Sequence, residues 1–218
     1  MIPDPDEIIS QLKSMANPAN TAGMARYGIN VEYALGVSMP ALRRMARGLH
    51  GHSLALALWQ SGIHEARILA ALVDRPAEVT EAQMESWALD FDSWDVCDQV
   101  CSNLFSYTPL AVKKIHDWVS RPEEYVKRAG FVLMAALAVH DKKACDQVFL
   151  DFLPLIQREA TDSRNFVKKA VNWALRQVGK RNLVLRSAAV EAGRQIAAID
   201  SPSARWIARD ALRELESQ

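Results

Sequence analysis

A chain of 218 residues, half of them apolar and about a quarter charged, has the composition of a globular protein rather than a disordered one, and its length suits a repeat solenoid better than a single compact core. No apolar run reaches the length that spans a bilayer, and the start, Met1-Ile2-Pro3-Asp4-Pro5-Asp6-Glu7, is acidic and proline-rich where an export signal is basic and then apolar. Three cysteines, Cys97, Cys101 and Cys145, are an odd number that argues against a disulfide framework and places the chain in a reducing cytoplasm.

Helix signals run the whole length, and strand signals are nearly absent. Ile8, Ile9, Leu12 and Met15 form one helical stripe. Ser38 with Pro40 predicts an N-cap and first turn ahead of Leu42, Met45 and Leu49. Ser53 opens a short helix through Trp59 that Gly62 ends, and Ile63 to Val73 forms another. Thr80 and Gln83 have the spacing of a capping box before Met84 and Trp87. Asp92 or Ser93 caps Trp94 to Phe105; Thr108-Pro109 starts a helix that stops at Ser120-Arg121-Pro122. Glu123 to His140 is long and mostly apolar, the pattern of a central helix. Lys142 to Arg158 follows, with Pro154 expected to kink or shorten it. Asp162 or Ser163 caps a helix to Lys180, and residues 183–199 and 203–216 complete the set around Ser201-Pro202.

About a dozen helices on short connections make an all-α chain, an α-solenoid of HEAT-like antiparallel helix pairs forming one domain over 1–218. An internal repeat agrees. Tyr125-Val126-Lys127-Arg128-Ala129 is echoed by Phe166-Val167-Lys168-Lys169-Ala170, and Ala174-Leu175-Arg176 by Ala211-Leu212-Arg213.

The formal net charge is zero, which counts against a simple nucleic-acid binder, but the charge is unevenly spread. Residues 1–120 carry 9 Lys/Arg and 14 Asp/Glu, a balance of −5; residues 121–218 carry 17 and 12, a balance of +5. Between Arg164 and Arg194 stand eight basic residues and a single acid, Glu191. A polyanion-binding surface needs such a run, and a solvated helical face also accounts for it.

The densest chemistry lies in Asp92-Ser93-Trp94-Asp95-Val96-Cys97-Asp98. Trp94 and Asp98 are four apart and share a helical face near a helix start. The helix dipole explains acids in the first turn better than it explains Asp98, a full turn in. An indole beside a carboxylate suits a cationic ligand; a core Trp with a surface Asp has the same spacing. Trp173 sits on an apolar stripe among Lys168, Lys169, Arg176 and Lys180, the composition of a nucleic-acid surface. Arg128 interrupts an apolar helix, so it must be paired or must face a groove where it can grip phosphate. Cys97 and Cys101 share a face, but no His or third Cys accompanies them, which makes them small buried hydrophobes rather than zinc ligands. The five histidines, His50, His52, His64, His116 and His140, lack metal spacing, and His50-Gly51-His52 reads as a loop. No glycine-rich phosphate loop or nucleophile elbow is present, and no cofactor or metal is implied.

Taken together, Trp94-Asp95-x-x-Asp98, Arg128-Ala129 and Phe166-x-x-Lys169-Ala170-x-x-Trp173-x-Leu175-Arg176, with Tyr27, Leu35-Gly36-Val37 and Pro40-x-Leu42-Arg43 before them, resemble the AlkD-like DNA alkylation repair enzymes, a family of HEAT-like repeat alkylpurine DNA glycosylases. The resemblance runs from about Tyr27 to Arg181. It implies a solenoid whose concave, basic surface holds duplex DNA and which removes cationic purines of the N3-methyladenine and N7-methylguanine type without inserting the base into a pocket. It implies Asp98 as catalytic carboxylate, Trp94 and Trp173 as aromatic walls beside the deoxyribose, Arg128 on backbone phosphate, and Tyr27 and Phe166 in the DNA-facing groove. Lys168, Lys169, Arg176 and Lys180 complete the expected DNA-binding set. Duplex DNA carrying alkylated purines is the implied partner of a monomer, with no membrane and no obligate protein partner. The family pattern has a tryptophan where Ser93 stands, an aromatic in place of Asn165 and a basic residue in place of Ala136. A non-catalytic DNA-binding or protein-interaction module of the same family is the alternative.

Overall fold

A computed structural model describes residues 4–217. Met1, Ile2 and Pro3, part of the acidic start, lie outside the described residues. Among those described there are fourteen α-helices, two short 3-10 turns (Phe105–Tyr107 and Glu159–Thr161) and no strand. No described helix is long and apolar enough to cross a membrane. The chain divides into two compact units that meet in sequence at Thr108 and Pro109.

The first unit holds α1 (Pro5–Ser14), α2 (Pro18–Arg26), α3 (Met39–Ala46), α4 (His52–Gln60), α5 (His64–Val73), α6 (Glu81–Leu89) and α7 (Trp94–Asn103). Helix α4 turns into α5 through three residues, and the two pack side by side, so they run back on each other. Gly62, at φ +71°, takes the left-handed conformation that closes α4, as its place in the sequence predicted. Helix α5 is the centre of this unit: it packs against α1, α3, α4 and α7, and Ile68, Leu69 and Ala70 are buried. Trp59 and Trp87 stack at 4.0 Å between ring centroids, and Arg67 lies over Trp59.

The second unit holds α8 (Ala111–Trp118), α9 (Glu124–His140), α10 (Asp146–Leu150), α11 (Phe152–Arg158), α12 (Asn165–Lys180), α13 (Leu183–Ala197) and α14 (Pro202–Leu215). Helix α9 is its axis, with every residue from Val126 to Ala138 buried; it packs on α8 and, over its length, on α12. The internal repeat is visible as structure. Tyr125 of α9 stacks against its counterpart Phe166 of α12, with centroids 5.9 Å apart, and α12 packs against α14, which carries the second repeated triplet.

Several sequence expectations are corrected locally. Helix α2 has no place among the predicted elements, yet Asn17 caps it with Oδ1 accepting from the Ala19 and Asn20 amides, and Pro18 fills its first turn. The 142–158 helix is two helices, Asp146–Leu150 and Phe152–Arg158, so it closes early just ahead of Pro154 as expected; Pro154 itself sits in the first turn of α11, where it costs no hydrogen bond. His52 is not in a loop: it opens α4, and its Nδ1 lies 2.8 Å from Asp74 Oδ1. The capping box at α6 forms only half: the Gln83 amide donates to Thr80 Oγ1, while the Gln83 side chain turns away and donates to Asp74. Ser93 stands at the N-cap of α7 as expected, but its side chain makes no capping hydrogen bond; it and Asp92 are used elsewhere, as described next.

Candidate DNA-facing site

Residues 27–38 are loop, and they are knitted to three helices. Asn17 N donates to Leu35 O, and Asn20 Nδ2 to Gly36 O, which fixes the loop to the start of α2. His64 N, at the start of α5, donates to Tyr33 O. Asn30 reaches the segment before α7: its amide donates to Ser93 Oγ at 2.7 Å, and its side chain to Asp92 Oδ2 at 3.0 Å. Ser93 is fully buried. A small hydroxyl that accepts a loop amide is what that position holds, and a tryptophan there would displace the loop.

Glu65 is the anchor of this arrangement. It is 1% exposed, and its carboxylate accepts from the amides of Leu35 (2.8 Å), Gly36 (2.6 Å) and Val37 (3.2 Å). Three backbone donors replace the water that a buried carboxylate loses. Gly36 is required twice over. Its φ is +77°, and a Cβ there would stand 2.2 Å from Asn17 O and 2.7 Å from Thr21 Oγ1. This accounts physically for the Leu35-Gly36-Val37 motif.

The loop delivers Tyr27 to α7. Trp94, the first residue of α7, donates from Nε1 to the Tyr27 carbonyl at 3.1 Å, while the Tyr27 side chain is 74% exposed. Asp98 follows one turn later on the same helix and is partly exposed. Between them, Asp95 meets His64 of α5, Oδ2 to Nε2 at 2.8 Å. His64 is 4% exposed. Burial alone would lower its pKa, but the hydrogen bond and charge of Asp95, with Glu65 and Asp92 near, outweigh this and raise it above the ordinary 6.5. Cys97 and Cys101 of α7 are fully buried as small hydrophobes.

A cleft of about 650 Å³ opens in this unit. Met24, Met39 and Ile68 give it an apolar lining; Tyr27 and Trp94 contribute aromatic wall, and His64, Glu65 and Asp95 are its titratable residues. Nothing in the local sequence pattern marks His64, Glu65 and Asp95 as a group: they come from two helices about thirty positions apart.

The remaining predicted residues lie in the second unit. Arg128 on α9 is 5% exposed, and its Nη1 donates to the carbonyl of Phe166, so these two are brought together. Phe166, Lys168, Lys169, Trp173, Arg176 and Lys180 all belong to α12. Lys169 is exposed, and Trp173 is partly so. Lys168 Nζ stands 4.9 Å from the centre of the Trp206 ring. Arg176 and Lys180 are occupied: Arg176 pairs with Asp210 and Glu214 of α14, and Lys180 pairs with Glu214. Burial works to raise the Glu214 carboxyl, but hydrogen bonds from Arg176 and Lys180 outweigh it and hold its pKa below the ordinary 4.5. Arg164 bonds Asp162, and Arg181 donates to the carbonyls of Ala138 and Ala144. The basic run therefore spends much of its charge on internal partners that its own sequence window does not contain.

Residues 8–215 match the sequence pattern of a family described as DNA alkylation repair enzyme. The chain belongs to that family. Membership covers both units and includes the loop around Gly36, α7 with Trp94 and Asp98, and α12 with Trp173. A solved structure described as "A new family of proteins related to the HEAT-like repeat DNA glycosylases with affinity for branched DNA structures" has the same fold: TM-score 0.81 at 18% identity, over 97% of this chain and 95% of that one. The all-α, HEAT-like solenoid expected from the helix pattern is thus the fold of this DNA alkylation repair family member. No curated protein matches the sequence.

Proposed function

We propose that the chain is a monomeric, cytoplasmic DNA N-glycosylase that releases cationic alkylated purines, of the N3-methyladenine and N7-methylguanine type, from duplex DNA. One observation carries the reading. In a member of the DNA alkylation repair family, Trp94 and Asp98 stand one turn apart on α7, with Trp94 tied to the backbone of the exposed Tyr27. An alkylated purine is a cation that leaves as a neutral base, so no acid is needed. The C1′–N bond breaks with its electron pair going to the base, and a water oxygen then adds to C1′ and gives up its proton. Asp98 stabilises the sugar cation and orients the water. Trp94 and Trp173 offer ring faces to the developing charge. Tyr27, Phe166, Arg128 and the cations Lys168, Lys169, Arg176 and Lys180 hold the strand, Arg128 at backbone phosphate. The whole chain acts as one HEAT-like repeat domain.

The second reading is a DNA-binding module without catalysis. The structural neighbour, described as having affinity for branched DNA, favours it. The deciding experiment is base release from duplexes carrying N7-methylguanine or N3-methyladenine, beside a known glycosylase. Release above the spontaneous rate is expected. Salt-sensitive binding of duplex or branched DNA with no release of either base, where the control enzyme works, overturns the enzymatic reading.

A further inference from the structure

Helices α12 and α14 lie side by side, and their facing residues form a ladder. Asn172 Nδ2 donates to Asp210 Oδ2 at 2.7 Å, and Arg176 Nε donates to Glu214 Oε2. One turn before Asn172, Lys168 Nζ stands 4.9 Å from the centre of the Trp206 ring. Each rung joins residues 38 apart. An offset that stays constant over successive turns means that the two helices run in the same direction. The later rungs are neutralised. Asp210 also faces Arg176 and Arg213, and Glu214 also pairs with Lys180. The first rung differs in kind: Lys168 meets an indole where the cations after it meet carboxylates.

That difference matters for an anion. A carboxylate in contact cancels the charge of a cation, whereas an indole attracts the cation by the quadrupole of its face and leaves the charge whole. Packing does not explain the ring. Helix α14 buries its apolar side through Ala204, Ile207, Ala208, Ala211 and Leu215, and Trp206 lies outside that set, partly exposed like Lys168. A lysine that grips a phosphate gives up rotamer freedom; one already laid against a ring has less to lose. We propose that Trp206 is a positioning residue for nucleic-acid binding: its ring holds Lys168, with its charge intact, for a backbone phosphate of the bound strand. The inference rests on the DNA reading above. It brings α14 into a site that this unit otherwise builds from α9 and α12.

The test is the affinity of the whole chain for a fluorescein-labelled unmodified duplex, followed by anisotropy over a range of salt. Trp206→Leu keeps apolar bulk and removes the ring; Trp206→Phe keeps a ring. Each is made alone and in a Lys168→Ala background, and thermal melts check the fold. Trp206→Leu is expected to weaken binding about two- to fivefold, the range of an exposed cation–π contact, while Trp206→Phe stays close to the wild type. In the Lys168→Ala background both substitutions should have no effect, a result that a purely structural role for Trp206 does not produce. Lys168→Ala alone should lower the slope of log affinity against log salt by about one, the loss of one phosphate contact. An unchanged slope overturns the proposal without recourse to any Trp206 variant. So does an unchanged affinity in Trp206→Leu, or an equal loss in both backgrounds. In each of these cases the duplex still binds, and the DNA reading stands. If the wild-type chain binds no duplex even at low salt, the DNA reading fails and takes this inference with it.

Discussion

The two units handle buried charge in opposite ways. The first buries acids. Glu65 is held by three loop amides, Asp74 by His52 and Gln83, and Asp95 by His64. The second buries bases. Arg128 donates to the Phe166 carbonyl, Arg181 to carbonyls at the end of α9 and just before α10, and Lys127 sits between Glu159 and Asp162. Carboxylates in the first unit pin an irregular loop by its N–H groups; guanidinium groups in the second pin helices by their C=O groups. The −5 and +5 halves of the sequence are therefore partly an account of how each unit is built. Lys169, Arg43 and Arg44, by contrast, are exposed.

The largest effect expected tests whether the reaction's charge resides on the first unit. Asp98→Asn keeps the shape of the side chain and removes its charge. It is expected to slow release of N7-methylguanine by about 10²–10³-fold while duplex affinity stays within about twofold. Unchanged single-turnover release would move catalysis away from Asp98.

Next comes the cost of breaking the acid-held loop. Glu65→Ala strands three amides in a buried setting, and urea unfolding should show a loss of about 3 kcal/mol. Glu65→Gln, which keeps one acceptor oxygen, should lose about half as much. A loss below about 1 kcal/mol for the alanine variant would mean that water replaces the carboxylate and that the loop does not depend on it.

The contrast also has a pH signature, with opposite signs in the two units. Burial tends to raise the Asp162 carboxyl, but hydrogen bonds from Arg164 and Lys127 bring it down to about 2 from 3.8. A depressed carboxyl contributes stability that is present above its unfolded pKa and is lost as pH falls toward 2. His64, with its pKa raised, contributes stability that is complete below 6.5 and is lost as pH rises through the folded value. Urea midpoints from pH 2 to 9 should therefore lose their acid-side slope in Asp162→Asn and their alkaline-side slope in His64→Gln. Exchanged or absent effects would show that these two pairs do not carry the linkage.

The smallest effect concerns the masked cations. Glu214→Gln leaves Arg176 and Lys180 with less internal competition. Duplex affinity should rise a few-fold at low salt, and the salt dependence should steepen by about one to two phosphate contacts. No change in either would place these two side chains outside the DNA contact.

The helical class was legible because caps, prolines and apolar stripes act locally. Gly62 and the 123–140 run behaved in the structure as their spacing required, and Thr80 capped its helix although the Gln83 side chain did not complete the box. The second helix escaped because its stripe is weak: none of its residues is buried, and only Asn17-Pro18 marks its start. Trp94 and Asp98 could be singled out because both lie on one helix. His64, Glu65 and Asp95 could not be grouped, since a loop thirty residues away completes them and no single window of sequence contains the contact. The basic run from Arg164 to Arg194 misled in the same way: it was visible, but Asp210 and Glu214, which neutralise part of it, lie beyond its end.

Helix α7 also contains its own clock. Its two thiols, Cys97 and Cys101, are sealed in the interior, whereas Cys145 lies at the surface. A thiol-reactive dye will tag Cys145 at once and must wait for the others until the helix bearing Trp94 and Asp98 lifts from its bed. The lag before the second and third tags measures how often that helix opens in the folded protein. Adding DNA to the same mixture shows whether binding holds it shut.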